Sequence, residues 1–346
     1  MIKICVVTNP TSPTTDYYRS VAPLFYLSKI TGGDIQIVCT KPSDADWHTF
    51  FTSDIVFFSR PNGSALLDII QEVKKMGKRT WCDYDDLLGE LSDYNPAKVH
   101  FGREEIIKSV EQIISFADLV TVSTPYLKSK YDEYAQKETV VLKNAYDNFH
   151  TRFAPIKPQG DPIKLFWRGS MTHLGDIATV KESIDRLIES PKWRVKFFGL
   201  HEWALKPFFP DGYELAGWEN RLFTYFDGFK AQKPDWFIYP LVDDSFNQSK
   251  SNISAIEAIT AGAGVLAPSG FPEFVAPGII NYEDEAHLNE LLDKIERKEI
   301  DKGETVREGQ QWLREFVTVE KENEKRLKLI AGLMGAKVRK LEKKVV

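Results

Sequence analysis

The stretch from Asp235 to Pro268, DWFIYPLVDDSFNQSKSNISAIEAITAGAGVLAP, holds the residues whose types and spacing best suit binding an anion. Trp236 to Tyr239 has the character of a buried strand that stops at Pro240, and a helix is expected from about Ser251 to Ala261, broken by Gly262 and Gly264. The intervening loop carries Asp243, Asp244, Asn247, Ser249, Lys250, Ser251 and Asn252, and Glu257 falls inside the helix. A helix N-terminus presents free N–H groups and the positive end of its dipole, which suits phosphate. In an open α/β sheet such a terminus lies beyond the carboxyl ends of the strands, where ligands bind. Lys250 adds a charge just ahead of the helix, and Ser251 and Asn252 can cap it or bind phosphate. Two further groups fit the same chemistry. Arg168 directly follows an expected strand and precedes Gly169-Ser170, a turn that admits close backbone approach, with His173 shortly after. Asp83, Tyr84, Asp85 and Asp86 form an acidic cluster at another strand end, and Asp16 and Arg19 open the first helix after the first strand.

The elements that must position these residues alternate between strand and helix. Apolar, β-branched runs at 2–7, 35–39, 54–58, 79–82, 117–122 and 139–142 read as strands, with amphipathic stretches such as 104–116 between them. That alternation implies a parallel, doubly wound sheet. Residues 148–162 break the pattern with three prolines and a glycine, as a linker does, and the alternation then restarts. A helix is expected from Asp176 to Glu189 and another from Arg221 to Phe229. The division is therefore an N-terminal Rossmann-like domain at 1–147, a linker at 148–162, a second Rossmann-like domain at 163–318, and a charged C-terminal helix at 319–346 expected to pack back toward the first domain. Two such domains make a cleft, a common setting for a small-molecule site.

Composition narrows the class. A chain of 346 residues suits two cores rather than one. A net charge of −5 gives no overall pull toward nucleic acid or an anionic membrane. The cysteines, Cys5, Cys39 and Cys82, are odd in number and far apart, which fits core packing rather than a disulfide framework or zinc site. The N-terminus runs straight into a strand without a signal-peptide layout, and no apolar run approaches the ~20 residues of a spanning helix. A cytoplasmic setting is the expectation, that of the host if a phage encodes the chain.

The segments WRGSMTHLGDI, FFGL, YELAGW, WFIYPL and FNQSKSNISAIEAITAGAGVLAPSGFPEF, in this order from Leu165 to Phe274, resemble the donor domain of the GT-B glycosyltransferases, in particular the retaining branch called family 4. VVLKNAYD resembles that family's Asn-Gly-Val-Asp hinge, with Ala145 and Tyr146 in place of Gly-Val. The resemblance implies two Rossmann-like domains facing across a cleft and transfer of a sugar from a nucleoside diphosphate to a hydroxyl. It implies a retaining reaction that needs no metal or bound cofactor, with a nucleotide-sugar, UDP-sugar foremost, as co-substrate. By the same resemblance Arg168 and Lys250 stabilise charge on the leaving diphosphate, Gly169, Ser170 and His173 line the donor, Glu257 takes the ribose and Trp218 stacks on the base, while Asp85 or Asp86 serves near the anomeric carbon and Asp16, Arg19 and Asp83 meet the acceptor. The family often has two glutamates seven residues apart; Glu257 fits the second, but the first position is Ser249, which leaves the sugar unspecified.

Bland readings stand beside these. Arg168 also suits a surface salt bridge, Arg19 an interhelical ion pair, His173 and the aspartates helix caps, Trp218 plain packing, and Lys250 and the basic end at 337–344 solvated surface. Asp83-Tyr84-Asp85 also has the Asp-x-Asp form of a divalent-metal site, ranked second. The expected acceptor is a glycan or lipid-linked glycan. Hydroxymethylated cytosine in phage DNA is the alternative, with Lys74, Lys75, Lys78 and Arg79 as the phosphate-tracking patch. A GT-B epimerase and a non-catalytic sugar-nucleotide binder complete the alternatives.

Overall fold

In the computed structural model, which describes residues 1–9, 13–44, 46–217, 219 and 221–335, the β-branched runs form two separate six-stranded sheets, both wholly parallel. The chain divides into two units, one of Met1–Leu91, Lys98–Phe149 and the chain from Thr318 onward, the other of Ser92–Ala97 and His150–Val317.

In the first unit the strands are β1 (Ile2–Val7), β2 (Ile35–Thr40), β3 (Ile55–Ser59), β4 (Arg79–Tyr84), β5 (Leu119–Val122) and β6 (Val140–Val141), in the order β2-β1-β3-β4-β5-β6. The period-two geometry of a strand puts successive side chains on opposite faces. Ile2, Ile4 and Val6 accordingly join Leu24, Leu27, Leu327 and Ile330 in one core, while Cys5 and Val7 join Ile70, Val110, Ile113 and Leu127 in another. Helices Ala22–Ile30 and Val319–Met334 cover the first face, and Ser64–Lys75, Glu104–Phe116 and Pro125–Tyr131 the second. Asn323 Nδ2 donates to the Pro23 carbonyl at 2.9 Å, joining Val319–Met334 to the helix beside it. Cys5 and Cys82 are buried as expected, but Cys39 is exposed, because β2 is the sheet's edge strand.

The second unit contains β7 (Ile163–Arg168), β8 (Trp193–Phe198), β9 (Glu214–Ala216), β10 (Trp236–Ile238), β11 (Gly264–Pro268) and β12 (Ile279–Tyr282), in the order β12-β11-β10-β7-β8-β9. The strand order reverses between β7 and β10, the switch point at which doubly wound sheets hold ligands. Tryptophans fill one core, with Trp167, Trp193 and Trp236 against Ile184, Leu266 and Leu288. Phenylalanines pack on the other face, where Phe166, Phe198 and Phe237 each meet the ring of Phe229 edge-on.

The expected helix at 176–189 is interrupted, giving Leu174–Ala178 and Lys181–Glu189 after a 3₁₀ turn at Met171–His173. At the break Thr179 Oγ1 donates to the Asp176 carbonyl at 2.7 Å, and Val180 N bonds the Ile177 carbonyl, closing a tight turn; the Asp176 side chain is 1% exposed. The helix expected from Ser251 starts at Ile253, and a short helix, Ser245–Gln248, precedes it, capped by Asp244 accepting from Asn247 N at 2.8 Å.

One buried charge pair anchors the second sheet. Asp235, just before β10, accepts from Lys302 Nζ at 2.9 Å, Lys164 N at 2.9 Å and Gly160 N at 3.1 Å. Asp235→Ala leaves the Lys302 ammonium buried without its counter-charge and is expected to destabilise this unit by about 3–5 kcal/mol, read from urea unfolding followed by tryptophan fluorescence. An unchanged midpoint would show that the pair does not hold the unit.

Candidate active site

The switch point of the second unit gathers the cations seen in the sequence. Arg168 ends β7, and its Nη2 pairs with Glu257 Oε2 at 2.6 Å. Glu257 lies in helix Ile253–Thr260, almost wholly buried, so its carboxylate needs hydrogen bonds and an opposite charge. The chain supplies both: Arg168, and Tyr225 OH, which donates to Oε2 at 3.1 Å. The Arg168 guanidinium also lies 5.9 Å from the centre of the Tyr225 ring. Glu257, expected to find its partners on a ribose, thus has protein partners already. Burial pushes the Tyr225 phenol well above its ordinary range, so it remains a neutral donor.

Gly169 follows, and a Cβ there would come within 2.6 Å of the Trp167 ring, so the turn requires glycine. Ser170 Oγ accepts from Thr172 N at 3.3 Å and caps the 3₁₀ turn that ends in His173. On the other side of the switch point, Tyr239 follows β10 with its ring stacked on Phe274 at 5.2 Å and 6.0 Å from the ring of His173. Burial raises its phenol, and the positive charges of Lys250 and Arg168 act against that rise. Tyr239 thus lies beside His173 and within reach of the charges of Arg168 and Lys250.

Lys250 Nζ sits 4.0 Å from the centre of the Phe246 ring. Ser249 is fully buried and donates to the Phe246 carbonyl at 2.6 Å, so the residue at the position of the missing glutamate braces the loop. Ser251 and Asn252 are both largely buried; Asn252 occupies the N-cap position without a side-chain capping bond, contrary to the capping expectation. Trp218 lies outside the described residues.

In the first unit the acidic cluster divides between two arginines. Asp83, at the end of β4, accepts from Arg19 Nε and Nη2 at 2.8 Å each and from Thr121 Oγ1 at 2.5 Å. Arg19, in the π-helical turn Tyr17–Val21, also donates to the Leu142 carbonyl and to Asn144 Oδ1. Both residues are almost entirely buried, an arrangement that ties the turn to β4 rather than presenting either group to an acceptor. The ion pair named as the alternative for Arg19 is present, but it joins a helical turn to a strand rather than two helices.

Asp85 and Asp86 instead meet Arg60, at 2.5 and 2.8 Å, and Thr15 Oγ1 donates to Asp85 Oδ2 at 3.0 Å. Because Asp83 and Asp85 face different arginines, they do not form the Asp-x-Asp metal pair. Among the described residues no group of three or more His, Cys, Asp and Glu side chains is placed to hold a metal ion. Arg60 directly follows β3, at this sheet's own switch point beside β1, and has a φ of 46°, a left-handed conformation rare outside glycine. Asp16 Oδ2 accepts from Asn9 N at 2.7 Å.

Arg60, Tyr225, Tyr239 and Asp176 were not picked out from sequence. For Arg60 the signal was available, a charged residue closing the apolar run DIVFFS; for Tyr225 no pattern distinguishes it from the other aromatics of its helix.

No family model matches the chain, and no curated protein matches it in sequence. Solved structures do match in fold. HepE from Anabaena, in complex with UDP and glucose, is similar with a TM-score of 0.64 and 11% identity, over 96% of this chain and 100% of that one. A glycosyltransferase from Rickettsia africae is similar with a TM-score of 0.64 and 10% identity, over 97% and 99%. A putative UDP-N-acetylglucosamine 2-epimerase from Listeria monocytogenes is similar with a TM-score of 0.54 and 10% identity, over 96% of each chain. The chain has the GT-B fold, with its two parallel six-stranded sheets.

Burial pushes the Asp16 carboxyl up to about 6, with Asp85 adding to the rise and the nearby Ser59 hydroxyl and the hydrogen bond from Asn9 N opposing it. The folded state thus keeps this proton to higher pH than the unfolded chain does. Stability from this group falls as pH climbs from 3.8 to about 6 and stays lower above that. Asp16→Asn removes the effect, so the melting temperature of the variant should gain on the parent as pH rises through this window. Parallel curves across the window would refute the assignment.

Proposed function

We propose that the protein is a glycosyltransferase that moves a sugar from a nucleoside-diphosphate sugar, UDP-sugar foremost, to a hydroxyl on a glycan or lipid-linked glycan, with retention and without a metal. One observation carries the reading: Arg168 ends β7 at the switch point, paired with Glu257 of helix Ile253–Thr260, and its charge and that of Lys250, just ahead of this helix, both act on the Tyr239 phenol. Departure of a nucleoside diphosphate builds negative charge on the β-phosphate, and preorganised cations and N–H groups stabilise such charge strongly. The similarity in fold to HepE, whose structure holds UDP and glucose, supports a uridine nucleotide. The neighbouring epimerase fold makes binding alone insufficient as a test, because an epimerase shares the donor.

The acceptor belongs in this proposal to the first unit, with Asp85 and Asp86 beside Arg60. In the basic patch proposed for a DNA acceptor, Lys75 pairs with Glu72 at 2.6 Å, Lys74 donates to the Phe116 carbonyl, and Lys78 lies over the Phe51 ring at 5.1 Å. Exposed pairs of this kind are weak, and a DNA backbone would compete with them.

UDP is expected to raise the melting temperature, and transfer to appear as acceptor-dependent release of UDP. An epimerase would convert the sugar nucleotide without releasing UDP. Lys250→Ala should lower kcat by about 10²–10³-fold while the protein remains folded. Arg168→Ala alone leaves Glu257 buried without its cation and is expected to cost about 3 kcal/mol of stability. The double variant Arg168→Ala/Glu257→Gln should recover most of that stability without recovering transfer. Near-parental rates in both Lys250→Ala and the double variant would overturn the phosphate assignment.

A further inference from the structure

Asp176 has no place in the functional reading so far, yet it is the most heavily bonded carboxylate near the switch point. Its Oδ1 accepts from Tyr94 OH at 2.6 Å, Asn247 Nδ2 at 2.7 Å and Val242 N at 2.9 Å. Its Oδ2 meets His173 Nδ1 at 2.8 Å. Asn247 Nδ2 also bonds Tyr94 OH at 3.0 Å and the Val242 carbonyl at 3.0 Å, so the three groups on Oδ1 brace one another. Tyr94 comes from Ser92–Ala97, a short strap that belongs to this unit although the residues on either side of it belong to the other. Its ring packs against Gly175 so closely that a Cβ there would lie within 2.5 Å, and Ser92 Oγ donates to Asp244.

A carboxylate removed from water needs both hydrogen bonds and an opposing charge. The partners on Oδ1 supply hydrogen bonds only: a backbone amide, a side-chain amide, and a phenol that burial and Asp176 itself push far above its ordinary range. His173 alone among the hydrogen-bonded partners of Asp176 can become a cation. The charged groups around it are known through its neighbours: Lys250 from the loop after β10 and Arg168 from β7 act on the phenol of Tyr239, whose ring lies 6.0 Å from that of His173, and Asp176 and Glu285 act on the phenol of Tyr282. The cations oppose a further positive charge there and the carboxylates favour it. Direct contact favours Asp176, whose Oδ2 lies 2.8 Å from the imidazole Nδ1.

We infer that Asp176 is a positioning residue that holds His173 as an imidazolium, with Nδ1 fixed on the carboxylate, so that the ring provides a third, pH-dependent cation for the diphosphate. The inference rests on the donor-site reading above. Its consequence is a nucleotide affinity that declines as pH rises, a property which Arg168 and Lys250 cannot confer because both keep their charge through neutrality.

UDP binding measured by calorimetry between about pH 6 and 9 tests this. The parent is expected to lose roughly tenfold in affinity across that range, as one charge-assisted hydrogen bond is lost. His173→Gln supplies the titration of UDP itself as the baseline, and His173→Lys should hold the high affinity to higher pH. Asp176→Asn keeps a hydrogen-bond acceptor but removes the charge, so the decline should move to lower pH, with binding near pH 7.5 weakened by about tenfold. Should that variant fail to melt cooperatively, Tyr94→Phe serves, with a smaller displacement in the same direction. The ¹⁵N shifts of the His173 ring should report a doubly protonated imidazole near neutrality in the parent and not in Asp176→Asn. A His173→Gln profile that overlays the parent, or a parent ring that is neutral at pH 7, overturns the inference and leaves the donor site standing. A parent that binds no nucleoside diphosphate at any pH overturns the donor-site reading itself.

Discussion

The ion pair of Arg168 and Glu257 joins the two elements on which the proposed donor chemistry stands, the end of β7 and the helix Ile253–Thr260. A parallel sheet delivers all its strand ends to one edge but does not fix where a long side chain points once it leaves that edge. The buried carboxylate does so for Arg168. Were the guanidinium to swing away, it would leave a buried carboxylate without its counter-charge, at a cost that holds the arginine in place. Tyr225 closes the arrangement from a third element, donating to the same oxygen and setting its ring against the cation. The direction of one arginine is thus determined by burial elsewhere.

The same constraint produces a different outcome in the first unit. There the Arg19–Asp83 pair is sealed, and it fastens the π-helical turn after β1 to the end of β4. What remains at that edge is Arg60 with Asp85 and Asp86, in which one cation faces two carboxylates. Two sheets built from similar βα units therefore differ at their edges: one arginine between two carboxylates in the first, and one arginine on a single buried carboxylate in the second. This division fits a reaction in which one partner brings a diphosphate and the other brings hydroxyls.

The architecture was legible in the sequence because buried parallel strands leave a strong local signal: IKICVV, DIVFFS, IKLFWR and WFI are apolar runs bounded by turns, and the two sheets are made of them. The positions of Arg168 and Lys250 were legible too, Arg168 as a charged residue closing such a run and Lys250 as one just ahead of a helix. Partnerships were not. Nothing local distinguishes Tyr225 from Phe223 or Phe226 as the donor to Glu257, and Tyr94 meets Asp176 across 82 positions of chain. The sequence marks Asp176 only as the start of a helix; its burial among Tyr94, Asn247 and His173 is a tertiary effect with no periodic signature. The resemblance implies acceptor contact for Arg19 and Asp83, whereas in the structure each is buried against the other.

Carboxylates inside a proposed anion site look at first like a contradiction, and their placement resolves it. A carboxylate facing a diphosphate would repel it by several kcal/mol at low effective dielectric. Glu257 and Asp176 instead each lie at hydrogen-bonding distance behind a basic group, Arg168 in one case and His173 in the other, and both are buried on the protein side. Held there, they neutralise the mutual repulsion of cations near Tyr239 and fix which face of each cation is turned outward. Lys250 is set against the ring of Phe246, whose face attracts an ammonium. The site is therefore close to neutral behind and positive in front, which is the polarity that a departing diphosphate requires.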